Sequence, residues 1–310
     1  MSNLAGKVAL VSGSGRGIGR AIALKLAHHG AKLVINDLDD APGNAVVDEI
    51  KALGGEAVAV NGDVTKPGFA DNFVGAAMDK LGGLDIIVNN AGYTWDSTVQ
   101  KMSDEQFQAM LDVHLVAPFR IMRAAAEPIR ILAKRDAEAN REVFRKVVNI
   151  SSLAGLYGSA GQISYSAAKA SLIGFARTLC KEWGRYKVNV NCVAFGLINT
   201  RLTQTIETKQ ATIDVAGREI KVGIQPQVKS TFEKMVPLGR GGTPEEAAGA
   251  VYLFCAPESN YISGPDHSGG RRFADVRRRL AYFVGIVKPT PPCWRTMRIC
   301  PRFSTSNANS

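Results

Sequence analysis

This chain has little of what would carry a protein into or across a membrane. No run of about 18 apolar residues is present, so no transmembrane helix is expected. The N-terminus, MSNLAGKVALVSG, has no basic segment followed by an apolar stretch and a small-residue cleavage site. No secretory signal is therefore expected, and the predicted compartment is the cytoplasm. Cysteine is scarce: Cys180, Cys192, Cys255, Cys293 and Cys300 form an odd set of five without metal-ligand spacing. That argues for reduced thiols, against a disulfide framework and against a bound metal. The remaining composition, 45% hydrophobic and 21% charged over 310 residues, suffices for one large α/β domain or two small ones.

The formal net charge of +10 suggests a nucleic-acid partner until it is located. Residues 265–310 hold nine Lys/Arg and two Asp/Glu, hence +7, which leaves +3 for the other 264 residues. The body is nearly neutral, so nucleic acid is not its expected partner. Any binding through Arg271, Arg272, Arg277, Arg278 and Arg279 would be nonspecific and salt-sensitive.

Two stretches carry chemistry. Residues 7–12 are a short apolar run of the kind a buried parallel strand uses. They enter Gly13-Ser14-Gly15-Arg16-Gly17-Ile18-Gly19 and then a helical pattern through Ala21, Ile22, Leu24 and Leu26, stopped by Gly30. A second apolar run, 32–36, ends on Asp37. Strand, glycine turn, helix and strand make the βαβ unit that binds dinucleotides. Its glycines admit the backbone to a pyrophosphate, whose charge the helix N-terminus meets. Asp37, 20 residues after Gly17, is placed to accept hydrogen bonds from both ribose hydroxyls and to repel a 2′-phosphate. NAD is therefore expected, with NADP the lesser alternative.

The second stretch runs from Ser151 to Lys169. Tyr165 and Lys169 stand four apart, on one face of a helix if Tyr165 opens one, and Ser152 lies 13 residues upstream. The Lys169 ammonium is then expected beside the phenol, drawing its pKa of about 10 toward working pH. Ser152 would supply a hydrogen bond that polarises a carbonyl or holds an alcohol.

The spacing Gly-x-x-x-Gly-x-Gly at Gly13, Gly17 and Gly19 is not the commoner dinucleotide fingerprint and resembles the short-chain dehydrogenase/reductase family. The resemblance accumulates along the chain. Residues 57–60 read as a third strand closed by Asp63-Val64, and Thr65 with Pro67 opens a helix ending at Gly82-Gly83. A fourth strand, 84–88, leads to Asn89-Asn90-Ala91-Gly92, similar to the family's NNAG motif. Ser103-Asp104-Glu105-Gln106 is a capping box for a long helix through Met110, Leu111 and Leu115. A fifth strand, 146–150, delivers Ser152, and a sixth, 188–193, leads to Phe195-Gly196-Leu197-Ile198-Asn199-Thr200. Thr243-Pro244-Glu245-Glu246 caps a late helix.

The resemblance implies a single doubly wound (Rossmann) α/β domain with a mostly parallel sheet over residues 1–264. It implies Ser152, Tyr165 and Lys169 as the catalytic trio. Cofactor contacts are implied at Gly13, Arg16, Gly17, Ile18, Gly19, Asp37, Asp63, Val64, Asn90, Tyr165, Lys169, Ile198 and Thr200. The implied reaction is hydride transfer between a nicotinamide cofactor and a small-molecule carbonyl or secondary alcohol. The chain is most similar in flavour to 3-oxoacyl-thioester reductases and 3-hydroxyacyl-CoA dehydrogenases; other alcohols, sugars and steroids stay open. A catalytically silent NAD-binding or sensing protein of the same fold is the alternative. Family members are dimers or tetramers, so a homo-oligomer is expected unless the altered C-terminus prevents it.

Several stretches depart from the family. His114 stands where the family has an asparagine that anchors a water relay, and it either hydrogen-bonds a water or packs with its polar edge satisfied. Phe195 replaces a proline. Residues 133–146 read as a solvated helical extension. Residues 201–236 occupy the place of the substrate-binding loop, with a β-hairpin around Ala216-Gly217. Tyr93, Trp95 and Tyr157 either line an apolar site or pack the core. Beyond Gly264 the resemblance stops, and the basic tail 265–310 is expected to be disordered or loosely docked, or to add 280–287 to the sheet edge.

Overall fold

The computed structural model describes residues 3–206 and 212–264; the expectations for 265–310 lie outside the described residues. Six strands form one parallel sheet: β1 (Val8–Val11), β2 (Lys32–Ile35), β3 (Ala57–Ala59), β4 (Ile86–Asn89), β5 (Arg145–Ser152) and β6 (Val188–Phe195). Their order is β3-β2-β1-β4-β5-β6. The order reverses between β1 and β4, which makes the sheet doubly wound and opens a crevice at the carboxyl ends of the strands.

Strand β1 shows why this sequence folds so. All four of its residues are buried, Ala9 and Val11 on one face and Val8 and Leu10 on the other. Helices α1 (Gly17–His28) and α2 (Asp40–Ala52) cover the first face, joined there by a late helix at 244–255. The other face is covered by α3 (Phe69–Leu81), α4 (Asp104–Leu111), α5 (Ala117–Glu138) and, beyond the short α6 (Leu153–Tyr157), α7 (Ile163–Trp183). A strand apolar on both faces is what a sheet between two helical layers requires. Helix α8 (Pro226–Met235) follows, and the late helix is α9 (Pro244–Cys255). Periodicity did not single out α2 or α8. No helix among the described residues is long and apolar enough to cross a membrane.

Both expected capping boxes form, Ser103 with Gln106 and Thr243 with Glu246. Helix α3, however, opens at Phe69 behind Gly68, not at Thr65-Pro67. The reason is local: the Thr65 N–H and hydroxyl both donate to Asp63 Oδ1, at 2.9 and 2.7 Å, and hold the chain in a turn. The long helix after Ser103 is also not continuous. A π-helical turn, Asp112–Val116, separates α4 from α5 and carries His114 inward.

The segment 133–146 is only partly the solvated extension its charges suggested. Lys134 and Glu138 are exposed, but Asp136, Arg145 and Lys146 are buried. Asp136 accepts from Arg145 Nη2 at 2.6 Å and from Arg141 Nη2 at 2.7 Å, which ties the end of α5 to the start of β5. Arg145 Nε donates to the Leu84 carbonyl at 3.2 Å, while Nη1 has no partner. Burial works to raise the Asp136 pKa, but the hydrogen bonds from Arg141 and Arg145 outweigh it and hold the carboxyl below its ordinary range. A depressed folded pKa means that the contribution is present above the unfolded value of about 3.9 and is lost as pH falls through the folded one. Asp136→Ala is expected to lose about 3–5 kcal/mol in urea unfolding near neutral pH, because it strands a buried guanidinium. The gap to the parent should close in acid.

The expected hairpin is present as β7 (Thr212–Val215) and β8 (Arg218–Lys221). Ala216 (φ +53°) and Gly217 (φ +83°) form its two-residue turn, with both φ positive as the mirror-image hairpin turns require. Asp214 Oδ1 accepts from the Gly217 N–H at 3.1 Å and holds the turn.

Candidate active site

The glycine turn leaves β1 and enters α1 without room for side chains. Gly13 has φ +63°, and a Cβ there would come within 2.7 Å of Ala91 Cα; one on Gly19 would collide with the Gly13 carbonyl. Gly17, at φ +52°, opens α1, with Ile18 packed partly against the core. The turn is held from both sides. Asn36 Oδ1 accepts from the Gly13 N–H at 3.0 Å, and Asn36 Nδ2 donates to Val60 O and Gly62 O, each at 3.1 Å. Asn90 Nδ2 donates to the Ser12 and Gly13 carbonyls, each at 3.0 Å, so this residue acts here on the turn itself. The sequence reading overlooked Asn36, whose only signal was a polar residue ending an apolar run.

Helix α1 has no side-chain cap and no acidic residue in its first turn. Its N-terminal N–H groups and positive dipole end are thus left for an anion. At the neighbouring strand end, Asp37 is 6% exposed and meets Arg16 Nη1 at 3.1 Å, while Arg16 Nη2 meets Asp39 at 2.8 Å. Asp63 holds its own turn, and Val64 beside it is buried. Ile198 and Thr200, just beyond β6, close the other side: Ile198 pairs with Gly242, and the Thr200 methyl lies 3.6 Å from where a Gly17 Cβ would stand. A turn with no room for a Cβ at Gly13 or Gly19, an uncapped helix N-terminus and a terminal carboxylate fit a dinucleotide.

Strand β5 ends on Ser151 and Ser152. Ser152 Oγ accepts from the Ala154 N–H at 3.1 Å as the cap of α6. Tyr165 and Lys169 lie in the first turns of α7, which Ser151 ties to β5 by donating to the Lys169 carbonyl at 2.7 Å. Lys169 Nζ donates to the Ile150 carbonyl at 2.7 Å and stands 5.7 Å from the Tyr165 ring centroid. Burial pushes Tyr165 up to about 12, against its hydrogen bond with Ser152, which pulls it down. Burial likewise pushes Lys169 down to about 8. The expectation that the ammonium draws the phenol toward neutrality is therefore corrected: desolvation dominates both groups, and the ammonium is engaged by a backbone carbonyl.

His114 is 2% exposed and packs edge-on to the Tyr165 ring, with 5.0 Å between centroids. Its Nε2 lies 2.7 Å from the Tyr93 carbonyl, which can only accept, so Nε2 carries the proton and Nδ1 is an acceptor. Nδ1 is buried without a partner. Burial, then the Lys169 charge, holds the imidazole pKa well below its ordinary value, so the ring is neutral. Gly92 is required here, since a Cβ would collide with the imidazole.

Every site residue that the sequence suggested lines one continuous cleft at the carboxyl ends of the strands. Tyr93 and Trp95 line it too; Tyr157, 59% exposed, does not. At its outer end, distant segments bring together polar groups that no local pattern marked, Asp96 with Gln162 (2.8 Å) and Glu105 with Arg218.

Comparison with known proteins is consistent with this geometry. A family model described as short chain dehydrogenase matches residues 7–211. A 3-oxoacyl-[acyl-carrier-protein] reductase of Synechocystis sp. is 36% identical over 266 residues, 85% of this chain and 95% of the relative. One from Chlamydia muridarum is 36% identical over 264 residues, again 85% and 95%. The hydroxyacyl-CoA dehydrogenase ChsB1 of Mycobacterium tuberculosis is 39% identical over 279 residues, 88% of this chain and 84% of the relative.

Proposed function

The chain belongs to the short chain dehydrogenase family and is a nicotinamide-dependent oxidoreductase, and from that premise we propose that it reduces 3-oxoacyl thioesters to 3-hydroxyacyl thioesters, with NADH preferred. The observation that carries the proposal is the meeting of Ser152, Tyr165 and Lys169 with the glycine turn and Asp37 in one cleft. The relatives' names supply the substrate class. Residues 1–264 are the proposed catalytic domain, acting in the cytoplasm as a dimer or tetramer, as the family resemblance implies.

The N-terminus of α1 would hold the pyrophosphate, Asp37 the adenosine ribose and Lys169 the nicotinamide ribose. When bound, the reduced cofactor supplies the hydride. The protein supplies the proton and the orientation. With its pKa pushed up to about 12 by burial, Tyr165 is a phenol near neutrality and so holds the proton that the oxygen of the reduced carbonyl takes up. Ser152 donates a hydrogen bond to the same oxygen. The reverse reaction starts from phenolate, so its rate should rise with pH. The direct experiment is NADH consumption with acetoacetyl-CoA. Steady consumption supports the proposal, whereas tight NADH binding without consumption across a series of 3-oxoacyl thioesters favours the silent sensor.

His114 is proposed to position the relay that returns a proton toward Tyr165. The unpartnered Nδ1 is the acceptor that would hold a water there. His114→Ala is expected to lower kcat roughly tenfold, less than the loss of a direct acid or base, and to move its pH profile. His114→Asn, which restores an amide acceptor, should recover most of both. An unchanged kcat and pH profile in His114→Ala would end the relay assignment.

A further inference from the structure

The β7–β8 hairpin is no part of the central sheet, yet it roofs the outer cleft. Its register sets Ile213 opposite Ile220 and Val215 opposite Arg218, so these four side chains share one face. Ile220 is buried, and Ile213, Val215 and Arg218 line the cleft. This face is apolar but for the guanidinium beside the turn at its tip, and Asp214, Glu219 and Lys221 of the other face also border the cleft.

Arg218 reaches away from its own element. Its Nε donates to Glu105 Oε1 at 2.8 Å, in the first turn of α4, and its guanidinium carbon lies 5.7 Å from the Trp95 ring centroid. Trp95 is two residues from Tyr93, whose carbonyl holds His114 against Tyr165, so the contact spans the mouth of the catalytic cleft. The two side chains are 40% and 61% exposed. An ion pair this wet is weak and is readily exchanged for another anion.

A thioester substrate must leave its carrier arm projecting from that mouth while its carbonyl sits at Tyr165. The carriers in the relatives' names, coenzyme A and acyl carrier protein, both hold the acyl group on phosphopantetheine, which ends in a phosphate. Arginine presents a planar fork matched to phosphate oxygens and holds them more strongly than a neutral donor does. We propose that Arg218 is a specificity-determining residue that exchanges the Glu105 carboxylate for the phosphate of a phosphopantetheine arm. Glu105 is then a competitor, holding the guanidinium at the mouth until a carrier arrives. This inference rests on the thioester reading of the site.

The two halves of the pair make opposite predictions. The readout is the ratio of kcat/KM for acetoacetyl-CoA to that for the acetoacetyl thioester of N-acetylcysteamine, which lacks the phosphate. Arg218→Gln should lower this ratio about tenfold, and Glu105→Gln should raise it about threefold, as removal of a competing carboxylate requires. A contact that merely closes the roof would shift both variants in the same direction, and that result overturns the proposal. Titration with phosphopantetheine and with pantetheine reads the same site without turnover. The phosphate should tighten binding to the parent, less so in Arg218→Gln and more so in Glu105→Gln; equal binding of the two probes to the parent overturns the proposal. If neither thioester is reduced while the titration pattern holds, the thioester reduction is wrong and the phosphate site stands. Acetoacetyl-CoA and the carrier-protein thioester both bear the phosphate. The one that loses more in Arg218→Gln identifies the carrier, and loss with neither overturns the proposal.

Discussion

Tyr165→Phe is expected to lose turnover by a factor of about 10³, within the range for a positioned acid or base, while NADH affinity falls far less. The substitution removes one oxygen. The ring still fills its place against His114, and α7 is still tied to β5 through Ser151 and Lys169, so the fold should survive. The burial that pushes Tyr165 up to about 12 also sets the pH behaviour. Below that value the phenol is protonated, so the donor form is present throughout the neutral range. Reductive turnover should not fall from loss of that proton until the solution is strongly alkaline, and oxidative turnover should rise with pH as phenolate forms. Single-turnover kinetics in both directions would measure this. A residual rate in Tyr165→Phe within tenfold of the parent would remove Tyr165 from the proton transfer.

The second large effect is on cofactor choice. Asp37→Ser is expected to move the ratio of NADPH to NADH affinity by about 10² in favour of NADPH, since a like charge a few Å away is worth a few kcal/mol at an effective dielectric near 20. Two changes contribute. Loss of the carboxylate removes the repulsion of a 2′-phosphate and a ribose acceptor. It also releases Arg16, whose guanidinium is shared between Asp37 and Asp39 at 3.1 and 2.8 Å. Fluorescence titration of parent and variant with each nucleotide gives the ratio directly. A parent that already prefers NADPH would mean that Arg16 outweighs Asp37.

The parts of this molecule that local chemistry determines were legible in the sequence. Apolar runs placed all six strands, because a strand covered on both faces is built largely from apolar residues, although β5 and β6 also bury polar side chains such as Arg145, Lys146 and Asn191. Capping boxes at Ser103 and Thr243 and the turn at Ala216-Gly217 were visible because each is a contact among residues a few positions apart. What was missed depends on distance. Asp136 and Arg145 looked solvated until the packing of α5 on β5 buried them together. The π turn at Asp112–Val116 leaves no mark in hydrophobic spacing, since it adds one residue to a helix otherwise continuous. The pKa of Tyr165 went the other way from the sequence argument for the same reason. Spacing states which groups are neighbours, but the depth of burial decides which charge state survives. The pairing of Arg218 with Glu105 joins residues 113 positions apart and needed the fold to be seen.

The central claim is that this cleft moves a hydride to the 3-carbonyl of an acyl thioester, and isotope transfer tests it most directly. The protein would be incubated with acetoacetyl-CoA and NADH carrying deuterium at the transferable position of nicotinamide C4, and the product analysed by mass spectrometry. The account predicts one deuterium at C3 of the 3-hydroxybutyryl product for each NADH consumed, and none with Tyr165→Phe on the same timescale. NADH consumption without deuterium at that carbon, or equal transfer by the Tyr165→Phe protein, would contradict it.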